Sequence, residues 1–105
     1  MKPEIGYPDI VMGSFIEDLI GDIEYNMRLT RASDPYFEEL GIQKFTLERL
    51  LQEIDRQQGV PPTAVVAGFV ERMSVSARDT GDPRFVFSIS RDAAQSILDG
   101  LYFTD

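Results

Sequence analysis

The stretch MSVSARDTGDPRFVFSIS, residues 73–90, decides the predicted fold class. Apolar and polar side chains alternate in its first five residues, and after the turn Phe85, Phe87 and Ile89 recur at every second position, alternating with Val86, Ser88 and Ser90. A period of two is typical of β-strands, and the Asp, Gly and Pro residues between the two halves favour a turn. The sequence therefore predicts a β-hairpin over residues 73–90.

The residues just before this stretch are ambiguous. Val65 and Val66 are β-branched and suit a strand, whereas their spacing to Phe69 and Met73 also suits one face of a buried helix. We favour a helix that starts after Pro62, and the sequence leaves helix and strand open for residues 63–72.

The first third of the chain predicts a helix. Ser14 and Glu17 match a capping box, in which the hydroxyl and the carboxylate each accept a backbone hydrogen bond at a helix start. Apolar side chains then recur every three or four residues as far as Thr30, at Phe15, Ile16, Leu19, Ile20, Ile23 and Met27.

Further helices are predicted in the middle and at the end of the chain. Asp34 precedes a proline and suits a helix N-cap, but Gly41 predicts that this helix is a single turn ending at Leu40. Thr46 then caps an amphipathic helix that continues to Gly59. A last helix is predicted from Ser90 to Gly100.

These elements predict an α+β domain of about four helices and one hairpin, with the 105 residues forming a single domain. A hairpin that follows consecutive helices also occurs in winged-helix domains, so that arrangement is a second possibility for the fold.

Composition restricts the chemistry. The chain contains no cysteine and no histidine, which excludes thiolate nucleophiles, zinc-thiolate sites and imidazole bases. We therefore expect no catalytic activity, no metal and no other cofactor. No stretch approaches the ~20 apolar residues of a membrane-spanning helix, and the N-terminal residues do not resemble a signal peptide, so we expect no membrane association and a cytoplasmic location.

The acidity is uneven. The net charge is −8, and residues 1–40 hold nine acidic and three basic residues. Four carboxylates flank the apolar stripe of the first predicted helix, with an aromatic residue beside them; the candidate site is Glu17, Asp18, Asp22, Glu24 and Tyr25. Such a face can be merely solvated. Our hypothesis is that it docks on a basic partner protein, including one whose surface normally holds nucleic acid.

Two alternative functions remain at this point. A winged-helix DNA-binding regulator would use the arginines near the hairpin, Arg72, Arg78, Arg84 and Arg91, although the net charge argues against direct nucleic-acid binding. A homo-oligomeric structural protein would self-associate through Phe69, Tyr102 or Phe103, or through the edge strand 85–89.

Overall fold

The computed structural model describes residues 7–102, which form four helices joined by short loops. The helices are α1 (Tyr7–Leu29), α2 (Pro35–Arg56), α3 (Pro62–Thr80) and α4 (Val86–Tyr102). Within these described residues there is no strand. The predicted α+β class and the winged-helix alternative are therefore wrong, because the fold is all-helical.

The first half of the predicted hairpin is the C-terminal part of α3. Met73 and Ala77 continue the four-residue spacing that begins at Phe69, so the alternating segment also fits one helix face. The polar residues are accommodated by hydrogen bonds to the preceding helical turn, where the Ser74 hydroxyl donates to Val70 O at 2.9 Å. Residues 63–72 are helical, as we favoured.

The second half of the predicted hairpin is the beginning of α4. Asp82 accepts hydrogen bonds from the backbone amides of Phe87 at 3.1 Å and Ser88 at 2.8 Å, which satisfies two free donors of the first turn. Of the residues predicted to form a turn, Gly81, Asp82 and Pro83 lie in the loop that connects the two helices, whereas Asp79 and Thr80 belong to α3. Gly81 ends α3 with a φ of 72°, a left-handed conformation that glycine adopts without steric cost.

The Asp82 carboxylate is buried in this loop. Its burial raises the pKa, but the hydrogen bonds from the Ser88 hydroxyl and from the amides of Ser88, Phe87 and Val86 outweigh that effect, so the pKa lies below its ordinary value. The charged form of Asp82 therefore stabilises the α3–α4 connection.

Several predicted helix ends are also wrong. The first helix begins at Tyr7, and Ser14 is an exposed residue within it. Asp34 is confirmed as the cap of α2, since its side chain accepts from the Tyr36 amide at 2.9 Å. The helix continues through Gly41, because a glycine inside a helix costs only about 1 kcal/mol and tertiary packing can outweigh that cost. The predicted cap Thr46 is buried within α2.

Both predicted ends of the last helix, Ser90 and Gly100, also lie within α4. The structure begins α4 four residues earlier, at Val86, because Asp82 supplies the cap that we assigned to Ser90.

All four helices contribute to one hydrophobic core. Its fully buried members are Met12, Ile16, Leu47, Leu50, Val66, Phe69, Ala94 and Ile97. The predicted apolar stripe of α1 is confirmed as the core-facing side, since Phe15, Leu19 and Ile23 pack against this cluster. Among the described residues, no helix is long and apolar enough to cross a membrane.

Two polar contacts connect helices that are distant in sequence. Asp9 of α1 accepts hydrogen bonds from the backbone amide and the hydroxyl of Thr63, both at 2.8 Å, and so caps the start of α3, where Pro61 provides no side-chain cap. The Thr46 hydroxyl of α2 lies 2.9 Å from the Ser90 hydroxyl of α4, and both residues are buried. These contacts help to fix the relative positions of the helices.

Candidate functional site

All five predicted site residues are exposed on α1. Asp18, Asp22 and Tyr25 follow one another at spacings of four and three residues and therefore lie along one line of the helix surface. Glu17 and Glu24 are seven residues apart and lie along a second line, about 100° around the helix axis from the first. The five side chains are thus exposed on the same helix but along two separate lines.

The carboxylates of this surface differ in their contacts. Glu24 forms a salt bridge with Lys44 of α2, with the Nζ and Oε2 atoms 3.7 Å apart. Within the described residues Asp18 and Asp22 form no salt bridge, so their charges are available to an external cation. Tyr25 is covered on one side by the Arg28 guanidinium, which lies 5.9 Å from the centre of its ring.

Large apolar side chains are exposed among these acids. Ile10 is 73% exposed, Tyr25 56% and Leu29 69%. Ile10 precedes Glu17 by seven residues and Leu29 follows Asp22 by seven, so both continue the lines of the predicted site. We missed these two residues in the sequence, although their departure from the core-facing stripe is visible there. We call this surface, consisting of Ile10, Glu17, Asp18, Asp22, Glu24, Tyr25 and Leu29, the α1 outer face.

A second surface feature is an open apolar groove of about 820 Å³ between α2, α3 and the start of α4. We call it the α2 groove. Its main apolar residues are Phe37, Ile42, Phe45, Phe69, Met73 and Phe87. Phe45 is 65% exposed despite its size, which is unusual for a phenylalanine. A groove that three helices form together could not be inferred from the sequence pattern of any one of them.

Charged residues border the α2 groove. Glu38 and Arg49 of α2 and Arg72 of α3 all contribute to its lining. None of the three forms a salt bridge with another described residue. Arg72 lies over the Phe69 ring, with 6.0 Å from its guanidinium carbon to the ring centre. The groove thus combines an apolar interior with charges of both signs, three of which have no counterion among the described residues.

The arginines of the DNA-binding alternative do not form a common surface with a hairpin, because the described residues contain none. Arg78 lies 3.9 Å from Asp79, and Arg91 lies 3.1 Å from Asp92, so two of the four are next to a carboxylate. In the described part of the chain, no three Asp, Glu, His or Cys residues converge in a way that could hold a metal ion.

The predicted self-association residues also change their roles. Phe69 is a core residue that is only 5% exposed, and the edge strand 85–89 is replaced by the start of α4. The Tyr102 side chain and Phe103 lie outside the described part of the structure. Self-association through an edge strand therefore has no support from the described fold.

No protein-family model matches this chain, and neither a curated protein nor a solved structure is significantly similar to it. Functional inference for this protein therefore depends on the chemistry of the α1 outer face and the α2 groove.

Proposed function

We propose that this chain is a non-catalytic protein-interaction module whose α1 outer face docks on a basic surface of a partner protein, in an accessory or inhibitory role. The observation that carries the proposal is the coincidence of unpaired carboxylates and exposed apolar side chains on one helix face. Asp18 and Asp22 lie on the same line of α1 as Tyr25 and Leu29, which are 56% and 69% exposed.

Each part of this surface has a separate physical role in binding. Tyrosine is among the residues that contribute most to interface affinity, because its ring buries a large area and its hydroxyl can still hydrogen bond. Carboxylates at the edge of such an anchor pair with arginine side chains and exclude partners of the wrong charge. The net charge of −8 also attracts a basic partner from a distance and increases the association rate.

The class of partner follows from the same charges. A negatively charged surface repels phosphate backbones, so direct binding of nucleic acid is disfavoured. Carboxylates can instead occupy the positions of phosphates on a basic protein surface that normally holds nucleic acid, and an inhibitor of a nucleic-acid-handling complex is the finer form of this proposal. A cytoplasmic location, inferred from the sequence, belongs to the same proposal.

The test is a pair of charge-matched double variants. Asp18→Lys with Asp22→Lys reverses two charges on the α1 outer face, whereas Asp55→Lys with Glu71→Lys makes the same change in net charge on exposed residues of α2 and α3. The probe is a fluorescent amphipathic peptide with arginines four residues apart beside apolar anchors, and binding is followed by fluorescence anisotropy at low and moderate salt.

We expect the α1 variant to bind the peptide roughly 5- to 30-fold more weakly than the unmodified chain, because two reversals change the interaction by roughly 1–2 kcal/mol in total. The control variant should keep most of its affinity. Equal losses in both variants would show that only net charge matters, and the proposal would then be rejected. Circular dichroism verifies that both variants are folded.

A further inference from the structure

We propose that the α2 groove is the interface of a two-fold symmetric dimer of this chain, in which the α2 helices of the two copies pack antiparallel. The inference is independent of the proposed function, because the α1 outer face contributes no residue to the groove.

The charge order along α2 carries the inference. Glu38 and Arg49 are the charged residues on the groove-facing side of α2 that form no salt bridge with another described residue. They lie eleven residues or ~16 Å apart, with Ile42 and Phe45 between them, whereas Glu53, one turn beyond Arg49, is paired with Arg56. In a two-fold dimer each surface must be complementary to itself. An antiparallel arrangement places Glu38 of each copy opposite Arg49 of the other and forms two ion pairs at once. A parallel arrangement would place like charges opposite each other.

The apolar residues between these charges match the same alignment. When Glu38 faces the partner's Arg49, Phe45 faces the partner's Ile42 and lies next to the partner's Gly41. The space around Gly41 is open, since a Cβ atom there would have no neighbour within 4 Å. Phe45 of each copy, which is 65% exposed in the single chain, can therefore insert into the space beside the other copy's glycine.

Electrostatics also favours a second copy over another occupant. The chain is strongly acidic as a whole, so most of its surface would repel a second copy. The α2 groove differs, because its two acidic residues, Glu38 and Glu53, are balanced by Arg49 and Arg72. Two copies that meet at this groove therefore bring together surfaces without excess negative charge, and the acidic residues of α1 remain outside it.

Two single charge reversals test this arrangement. Glu38→Arg leaves both opposing positions of a homodimer positive, and Arg49→Glu leaves both negative. When the two variants are mixed, each copy of one again faces opposite charges on the other. The matched control is Glu48→Arg, which makes the same charge change on an exposed residue of α2 that does not line the α2 groove.

The measurement is the dimer dissociation constant from analytical ultracentrifugation, together with native mass spectrometry of the mixture in which one variant is labelled with ¹⁵N. We expect each reversal to raise the dissociation constant at least ~10-fold, the control to change it less than ~3-fold, and the mixture to form mainly the mixed-label heterodimer.

Three results would overturn the inference. They are a wild-type chain that stays monomeric at 100 μM or more, reversals that leave the dimer unchanged, and a mixture that does not recover dimer. A monomeric wild type would mean that the groove binds a different occupant, such as a peptide or a small molecule. The result of the peptide-binding test of the α1 outer face does not depend on whether the chain forms this dimer.

Discussion

Thr46 and Ser90 form a buried hydroxyl pair beside the α2 groove. The contribution of their contact to the free energy of unfolding can be tested quantitatively. Thr46 Oγ1 lies 2.8 Å from Ile42 O and 2.9 Å from Ser90 Oγ. Thr46 is 2% exposed and Ser90 is 8% exposed. A hydroxyl carries one hydrogen, so both contacts are satisfied when Thr46 donates to Ile42 O and accepts from the Ser90 hydroxyl. This contact joins α2 to α4.

The perturbations are Thr46→Val, Ser90→Ala and the double variant. Thr46→Val keeps the side-chain shape but leaves the Ser90 hydroxyl buried without its partner, which should cost about 1–3 kcal/mol in free energy of unfolding. Ser90→Ala should cost about 1 kcal/mol, since Thr46 keeps its bond to Ile42. In the double variant no hydroxyl remains unpaired, so its cost should fall short of the sum by roughly 0.5–1.5 kcal/mol.

The assay is urea unfolding monitored by circular dichroism at low protein concentration, with thermal unfolding as a second measurement. A loss of 1 kcal/mol corresponds to a decrease in Tm of about 4–8 °C in a domain of this size. Thr30→Val is the control, because Thr30 donates to Asn26 O in an exposed position, and its effect should stay within about 0.5 kcal/mol. Strictly additive costs in the double variant would refute the buried interhelical bond.

Two further predictions concern helix geometry and pH. Gly21→Ala should stabilise the fold by about 0.5–1 kcal/mol, since the added methyl group has no neighbour within 4 Å. Gly100→Ala should lower the free energy of unfolding or leave it unchanged in the same assay, because the added Cβ would lie 2.5 Å from Phe15 Cζ. The Asp82 contribution should be present above its ordinary pKa of 3.8 and be lost as the pH falls through its lowered folded-state pKa. Asp82→Asn should therefore lower the free energy of unfolding at pH 7. As the pH falls below 3.8, the free energy of unfolding of this variant should decrease less than that of the wild type. Parallel pH profiles of the two proteins would contradict this role.

Much of the helical content could be predicted from the sequence, because three- and four-residue apolar spacing persists over many residues. The stripe around Ile16 and Ile23 identified α1 and its core-facing side, and Leu47 and Leu50 identified α2. Helix ends were less predictable, because a capping residue type is also common inside helices. Thr46 resembles a cap in the sequence, yet it is a buried partner of Ser90, a residue 44 positions away.

The candidate site was predictable to the extent that it lies on a single helix. Exposure of Asp18, Asp22 and Tyr25 followed from the spacing of the apolar stripe alone. The α2 groove was not predictable, because it depends on the relative positions of α2, α3 and α4. Phe45 illustrates the difference, since nothing local in the sequence distinguishes an exposed phenylalanine from a buried one.

Two residues of the predicted hairpin help to form the groove. Met73 and Phe87, which we assigned to opposite strands, lie on successive helices and line the groove together. The other alternating apolar residues, Val75, Ala77, Phe85 and Ile89, do not line it. The alternation that suggested strands therefore does not mark one surface of the fold.

Closing the groove within the single chain has an electrostatic cost. If α3 moved against α2, the apolar residues would be covered, but Glu38, Arg49, Glu53 and Arg72 would lose water. Burying a charge without a well-placed partner costs several kcal/mol. An exposed apolar surface on which Glu38 and Arg49 offer opposite, unpaired charges has the properties expected of an interface with an antiparallel second copy.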